Sequence, residues 1–162
     1  MKMDFAVETE GLSKTFRRRW TGEASDSGIF LRASPKGVPA RTGMEFQILS
    51  DAGQPPSIGG TGSLWGVAPP AKNMAKPAGE WNQVEIMAIR RQVTTVLNGE
   101  KIIDANLDDT KYANANSKEP PLAGRLAYGH IGLQAHAKGT PVEFRNIRVR
   151  IVRIGPGFPP QQ

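Results

Sequence analysis

Short runs of alternating apolar and polar residues, each closed by glycine or proline, recur along most of this chain. In one run Met44, Phe46 and Ile48 alternate with Glu45 and Gln47. Because successive side chains of a strand point to opposite faces, this alternation is typical of a half-buried strand. The 18 glycines and 13 prolines make up about a fifth of the 162 residues, against roughly 12% in average usage. No helix-period stripe of useful length appears, so the sequence predicts an all-β sandwich.

The pattern predicts a series of strands joined by turns and two long surface loops. Asn98-Gly99 predicts a tight hairpin, because both residues tolerate the positive φ of a primed turn. The loops are predicted at 54–80 and 108–124; loops this long in a compact domain are usually functional or disordered. We expect a single β-sandwich domain over residues 1–154 and an extended Pro/Gly-rich tail over 155–162. The predicted strands are 7–16, 28–32, 43–51, 81–89, 92–97, 101–105, 130–136 and 142–154.

Composition bounds the function classes. No apolar run approaches the roughly 18 residues of a spanning helix, which predicts no membrane insertion. There is no cysteine, which excludes disulfides and cysteine-ligated zinc but leaves the compartment open. The net charge of +6 raises the question of nucleic acid, with Phe16 and Trp20 as stacking residues beside three arginines. A second set of arginines alternates with apolar residues near the C-terminus and could also track phosphates, but the solvated face of a strand explains this set equally: Arg145, Arg148, Arg150 and Arg153. No recognition motif accompanies the charge, so we expect no nucleic-acid partner.

Strand parity brings a set of polar residues to one face. Residues two apart share a face, so neighbouring strands pool Arg32, Glu45, Gln47, Gln134 and His136 into one patch. A carboxylate and an imidazole in such a patch can act as acid, base or metal ligand. The alternative is an ordinary solvated face with a surface histidine.

The first long loop carries Trp65, Asn73 and Lys76 among glycines and prolines. An indole ring can stack on the apolar face of a sugar while amide and ammonium groups bind hydroxyls. Trp65 could equally anchor the loop to the sandwich. No phosphate-binding glycine loop, nucleophile elbow or helical zinc motif is present.

Seven short strings, in order along most of the chain, resemble the 3-keto-disaccharide hydrolase family. These strings are Ser27-Gly-Ile-Phe-Leu-Arg32, Gly43-Met-Glu-Phe-Gln-Ile-Leu49, Gly62-Ser-Leu-Trp-Gly66, Lys76-Pro-Ala-Gly-Glu-Trp-Asn82, Leu97-Asn-Gly99, Gly132-Leu-Gln-Ala-His136 and Val142-Glu-Phe-Arg-Asn-Ile-Arg148. The resemblance implies a concanavalin A-like jelly-roll β-sandwich of two antiparallel sheets. It also implies cleavage of 3-keto-disaccharides or 3-keto-glycosides by acid/base chemistry in a concave sheet cleft, with a saccharide as the ligand.

The resemblance also implies roles for the candidate residues. Glu45 and His136 would be catalytic and share the proton transfers. A divalent cation is a further option, with Glu45, Asp51 and His136 as its candidate ligands; no other cofactor is evident. Substrate binding would fall to Arg32, Gln47, Trp65, Asn73, Lys76 and Gln134.

Members of the resembled family usually begin with an additional segment and often an export signal, and the resemblance implies that this chain begins within the domain. The resemblance therefore implies an exported protein, although no signal peptide is recognised in this chain. Edges left by a short N-terminus would be covered by a homo-oligomer. Two alternatives to an enzyme stay open: a non-catalytic, lectin-like sugar-binding module, and a truncated sandwich that acts as an assembly protein.

Overall fold

The structure, a computed structural model, describes residues 5–8, 14–18, 26–113, 124–125, 127–135, 142–150 and 152–153. Ten strands and two single-turn helices lie in these ranges. None of the helices described is long and apolar enough to cross a membrane. In chain order the elements are β1 (Phe5–Glu8), β2 (Lys14–Arg18), β3 (Asp26–Ala33), α1 (Pro39–Thr42), β4 (Met44–Leu49), β5 (Asn82–Ile89), β6 (Gln92–Leu97), β7 (Glu100–Asn106), α2 (Thr110–Ala113), β8 (His130–Leu133), β9 (Val142–Arg145) and β10 (Val152–Arg153).

The strands form two antiparallel sheets, which confirms the predicted all-β sandwich. The smaller sheet has the order β4-β3-β8. In the larger sheet β5 pairs with β6, and β6 pairs with β7. The other edge of β5 is shared by β1 and β2, which in turn pair with β10 and β9.

The core lies between the two sheets and follows the predicted alternation. Met44, Phe46 and Ile48 of β4 point into it. Alternate residues of β5 and β6 face them from the larger sheet, among them Val84 and Val93, which are fully buried. Burying side chains of this size contributes roughly 1.5–3 kcal/mol each, which fixes the register of every strand that carries them.

Several predicted elements differ in detail. The strand predicted at 7–16 is two strands, β1 and β2, whose pairings with β5 are offset by three residues. The strand predicted at 142–154 is likewise two, β9 and β10, with irregular backbone at 146–150. The arginines of that stretch therefore do not share one strand face. Residues 34–43, between β3 and β4, contain α1, which begins at Pro39. Proline is favoured at the first position of a helix, because the N–H of that position would have no partner within the helix and proline has no N–H.

The Asn98-Gly99 hairpin is confirmed. The two residues have φ values of +53° and +86° and join β6 to β7. The Asn98 amide also donates to the Met74 carbonyl at 2.7 Å and to Asn82 Oδ1 at 2.8 Å. The turn residue thus holds the end of the 54–80 loop against the larger sheet.

The 54–80 loop is ordered along the edge of β4. The Gln47 N–H donates to the Ser63 carbonyl, and the Gly62 and Trp65 N–H groups donate to the carbonyls of Gln47 and Glu45 at 2.9 Å each. Loop residues 62–65 therefore occupy the place of a further strand beside β4.

A β-bulge interrupts β3 where it pairs with β8. Phe30 opposes Gly132, but the next pair is Ala33 with His130, so β3 carries one extra residue. Arg32 adopts a φ of +53° at this point. Two glycines make room for it, since a Cβ on Gly43 or Gly129 would strike the backbone of residues 31–33. The bulge re-aims the side chains that follow it.

Candidate functional site

The polar face of β4 is buried rather than solvated. Glu45 is 4% exposed and Gln47 is 3% exposed, although both point away from the sandwich core. The alternation predicted from the sequence is therefore confirmed, while the interpretation as an ordinary solvated face is wrong. Burying a carboxylate costs several kcal/mol unless it is paired or protonated, so a buried Glu on this face requires an explanation.

The carboxyl group of Glu45 lies over the bare Cα of Gly28. A Cβ at position 28 would stand 2.8 Å from Cγ and 2.9 Å from Cδ of Glu45, and closer still to Oε1. Gly28 belongs to β3 and pairs with Gln47, two residues along from the Phe30–Glu45 pair. Glycine at this position is the local condition that lets the carboxyl group lie flat on the sheet.

The same carboxyl group has an unpartnered oxygen and a raised pKa. Glu45 Oε1 is buried and has no hydrogen-bond partner. Burial raises the pKa of Glu45 to about 7, and the negative charge of Asp26 adds to the effect. A carboxyl group with a pKa near neutrality can both take up and return a proton under ordinary conditions.

Two amide side chains flank this group. Gln47 Nε2 donates to Asp26 Oδ1 at 2.9 Å, which fixes the amide of Gln47 on the Glu45 face. The main chain of Gln134 donates to the Gly28 carbonyl and accepts from Ser27 Oγ, so Gln134 lies on the other side of Gly28. Gln134 Oε1 is buried without a hydrogen-bond partner, as is Glu45 Oε1. Glu45 and Gln134, which both contact Gly28, thus each carry an unpartnered oxygen acceptor, an arrangement suited to the hydroxyl donors of a ligand.

Arg32 is not part of this group. Strict alternation places it on the Glu45 face, but the bulge puts Ala33 there instead, where it packs with Phe30. Arg32 as a residue is 9% exposed, and its Nη1 is buried without a hydrogen-bond partner. Burial and the charge of Arg91, at the turn between β5 and β6, lower its pKa to about 10. Arg91, the charged residue that affects the pKa of Arg32, thus belongs to the larger sheet.

Trp65 lies at the border of the Glu45 face. It is partly buried and packs against the apolar cluster of Phe30, Ala33 and Ala40. Its main-chain N–H donates to the carbonyl of Glu45. This packing supports the anchoring interpretation, and the partial exposure leaves an edge of the ring for a ligand.

Asn73 and Lys76 lie away from Glu45. Asn73 is engaged with the main chain, since its Nδ2 donates to the Asp51 carbonyl and its Oδ1 accepts from the Ala75 N–H. The N–H of Lys76 donates to Asn82 Oδ1 of β5, and its side chain lines a separate cavity of about 260 Å³ that reaches Val142. Neither side chain meets the acidic group in this structure.

Asp51 organises the loop. Its Oδ2 accepts the Thr61 N–H at 2.8 Å, while Thr61 Oγ1 bonds to both main-chain groups of Leu49. Oδ1 of Asp51 is buried without a hydrogen-bond partner. Within the described ranges no three His, Cys, Asp or Glu residues are grouped so as to hold a metal ion. The divalent cation stays a prediction, because its third candidate ligand, His136, lies outside those ranges.

His130 joins the face that the sequence assigned to His136. Gly132 opposes Phe30, so His130, two residues earlier on β8, lies on the same face. Its Nδ1 is 3.2 Å from the Ala33 carbonyl. His130 lies six residues before His136, an even separation that would place both on one strand face, but the anchoring of His130 depends on the bulge, which no local sequence signal marks.

The fold and this face define a class: a two-sheet antiparallel β-sandwich with a buried carboxyl group, of pKa near 7, on the outer face of its smaller sheet. Residues 5–150 match the family described as 3-keto-alpha-glucoside-1,2-lyase-like domain. The chain belongs to this family, as its ordered strings predict.

Similar proteins are known from Bacteroides thetaiotaomicron and Parabacteroides distasonis. The chain is 32% identical over 128 aligned residues to a protein of Bacteroides thetaiotaomicron named 3-keto-disaccharide hydrolase; the match covers 67% of this chain and 43% of that protein. The chain thus spans less than half the length of this relative. Two crystal structures of Parabacteroides distasonis proteins, each named as a candidate glycosyl hydrolase, share the fold. Their TM-scores are 0.73 and 0.64 at 22% identity, covering 92% and 93% of this chain and 78% and 72% of theirs.

Proposed function

We propose that this domain cleaves 3-keto-glycosides, with Glu45 as the group that moves the proton. The observation that carries the proposal is the buried, unpartnered Oε1 of Glu45, whose pKa of about 7 suits proton transfer. Family membership, and the name of the relative from Bacteroides thetaiotaomicron, supply the substrate class.

The chemistry follows from the keto group. A carbonyl at C3 makes the C2 proton acidic, and the carboxylate of Glu45 removes it. The electrons of the C2–H bond form an enolate across C2 and C3. As the enolate collapses, the C1–O bond breaks and the departing oxygen takes a proton. Water then adds at C1 and gives a proton to the group that protonated the departing oxygen, while the protonated Glu45 returns its proton to C2. This restores the 3-keto sugar, the acid and the resting carboxylate.

The neighbouring groups support binding. The amide of Gln47, held by Asp26, supplies a donor for a ligand oxygen, and Gln134 Oε1 accepts from a hydroxyl. His136 remains the proposed acid for the departing oxygen, a role assigned by the family resemblance. Arg32, Asn73 and Lys76 would take part only after a change in position, so we assign substrate binding first to Gln47, Gln134 and Trp65.

The decisive experiment compares 3-keto-disaccharides with the parent disaccharides in D₂O. We expect release of monosaccharide and deuterium at C2 only from the keto substrates, both followed by NMR. Glu45→Gln should abolish both while a binding measurement shows that the sugar still binds. Sugar binding without release or exchange in the parent protein would favour the lectin-like module and contradict the proposal. A parallel sample with chelator tests the divalent cation.

A further inference from the structure

The face of the smaller sheet that carries Glu45 has two unlike halves. One half is polar and contains Asp26, Gln47 and Gln134 around the Glu45 carboxyl group. The other half, beyond Phe30, is made of small and aromatic side chains: Ala33 and Ala40 pack with Phe30, and Trp65 covers them from one side. His130 borders this half, because it opposes Ala33 across β3 and β8.

The chain segment that enters β8 is fastened to this aromatic half at two points. Arg125 is buried, and its Nη1 donates to the Ala40 carbonyl at 3.0 Å and the Gly43 carbonyl at 2.7 Å. At the other end the Cα of Gly129 lies against the backbone of the bulge, so close that a Cβ would be 2.7 Å from the Ala33 carbonyl oxygen. Arg125 and Gly129, which precede and follow Tyr128 in the sequence, are thus both packed against this part of the sheet.

Tyr128 lies between the two fastened points and is 74% exposed. It is the most exposed large hydrophobic side chain among the described residues. An aromatic side chain has few rotatable bonds and therefore loses little entropy when a ligand stacks on it. The apolar face of a pyranose ring is such a ligand, since its axial hydrogens pack on an aromatic face while its hydroxyl groups remain hydrated.

His130, two residues after Tyr128, offers a hydrogen-bond acceptor on an anchored ring. A carbonyl oxygen only accepts hydrogen bonds, so the contact with Ala33 places the proton of the neutral imidazole on Nδ1. Nε2 is then an acceptor. The side chain is exposed, so Nε2 is available to a hydroxyl group.

The spacing from Glu45 exceeds one sugar unit. Glu45 lies on β4 and His130 on β8, with β3 between them. Two strand spacings amount to roughly 10 Å, and the bulge adds a step along the strand. The distance thus matches a second sugar ring that lies across Phe30 over the aromatic half when C2 of the first ring is at Glu45.

We infer that Tyr128 and His130 form the binding site for the leaving-group sugar. In this site the pyranose ring stacks on Tyr128 and one of its hydroxyl groups donates to His130 Nε2. The inference rests on the proposed function, because it assigns the second ring of the same disaccharide. It accounts for the exposed tyrosine next to Gly129 and for the anchoring of the His130 ring.

The test compares a 3-keto-disaccharide with the methyl glycoside of the same 3-keto sugar, which lacks a second ring. Tyr128→Ala should raise KM for the disaccharide about fivefold to tenfold, and His130→Ala about fivefold, with neither changing KM for the methyl glycoside. Tyr128→Phe keeps the stacking ring and should stay within about twofold of the parent. Val149→Ala, which removes an exposed apolar side chain after β9, is the matched control. Equal losses on both substrates, or no loss on either, would overturn the inference.

A binding measurement separates this inference from the proposed function. Ligand-observed NMR with the non-keto disaccharide and the non-keto methyl glycoside requires no turnover. If the parent protein proves inactive, preferential binding of the disaccharide that Tyr128→Ala removes still supports a second-ring site. Binding of the disaccharide that is indifferent to both Tyr128→Ala and His130→Ala, or no binding at all, contradicts it.

Discussion

The carboxyl group of Glu45 rests on the Cα of Gly28, in the space that any other residue at position 28 would fill. The two residues come from adjacent strands of the smaller sheet and define each other's role. Gly28 is needed because the carboxyl group of Glu45 lies over it. Oε1 of Glu45 stays unpaired and the pKa stays near 7, because the surface beneath the carboxyl group is a bare Cα instead of a polar partner.

Gly28→Ala is therefore expected to displace the acid without unfolding the protein. The new methyl group meets the far end of a flexible side chain, which can rotate away, rather than backbone. We expect a loss of activity of at least about 100-fold with a destabilisation of about 1–2 kcal/mol, measured by keto-sugar cleavage and by urea unfolding. In a Glu45→Ala background the same change should cost less stability, because the clash is gone. Unaltered activity in Gly28→Ala would show that the carboxyl group in this position is not used.

The pH dependence of cleavage should report the carboxyl group directly. With Glu45 as the base that takes the C2 proton, kcat/KM should rise about tenfold per pH unit below its pKa of about 7 and level off above it. Glu45→Asp is the matched variant, since it retains a carboxyl group of shorter reach. A profile that falls through neutrality would assign Glu45 the role of an acid instead.

The raised pKa of Glu45 should also make the free energy of unfolding decrease as the pH rises. The pKa of Glu45 is raised from an ordinary 4.5 to about 7 in the folded state, so between these values the native protein binds more protons than the unfolded chain. The stabilisation is thus complete below about pH 4.5 and is lost as the pH rises through 7. Glu45→Gln cannot titrate, and its free energy of unfolding relative to the parent should increase by about 1–2 kcal/mol from pH 5 to pH 8. A pH-independent difference in denaturant unfolding would contradict the raised pKa.

The glycines around the bulge should differ sharply in their tolerance of alanine. At Gly43 and Gly129 a Cβ would meet backbone atoms of residues 31–33, which cannot move without breaking the β3 pairings. We expect each alanine variant to lose more than about 2 kcal/mol. At Gly124 a Cβ meets nothing within 4 Å, so Gly124→Ala should change the stability by less than about 1 kcal/mol. Urea midpoints of the three variants provide the comparison; similar values for all of them would argue against a tightly packed bulge.

Much of the fold was predictable because it depends on local pattern. The alternation of β4 and the Asn98-Gly99 turn are direct consequences of strand geometry and positive φ, and both are confirmed. The displacement of Arg32 was not predictable, because a bulge is one extra residue with no marker of its own, and parity counting fails beyond it. Burial of the Glu45 face likewise depends on long-range packing of the loop and α1.

The candidate site was predictable in part for the same reason. The sequence indicated Glu45, Gln47 and Gln134 as members of one face, and the structure places their strands accordingly. It could not indicate that Asn73 serves the main chain of its own loop, since an amide that closes a loop and one that binds a ligand look alike in sequence.

The pairing of loop residues 62–65 with β4 has a consequence for association between molecules. An open sheet normally ends in a strand whose free amide and carbonyl groups can recruit another chain. Along β4 those groups are already satisfied by the protein's own loop, with the Asp51–Thr61 contact holding that loop at its base. Residues 62–65 thus also protect the edge of β4 from pairing with another molecule. Loss of the Thr61 contacts would expose the main-chain groups of β4 to intermolecular β-pairing beside Glu45.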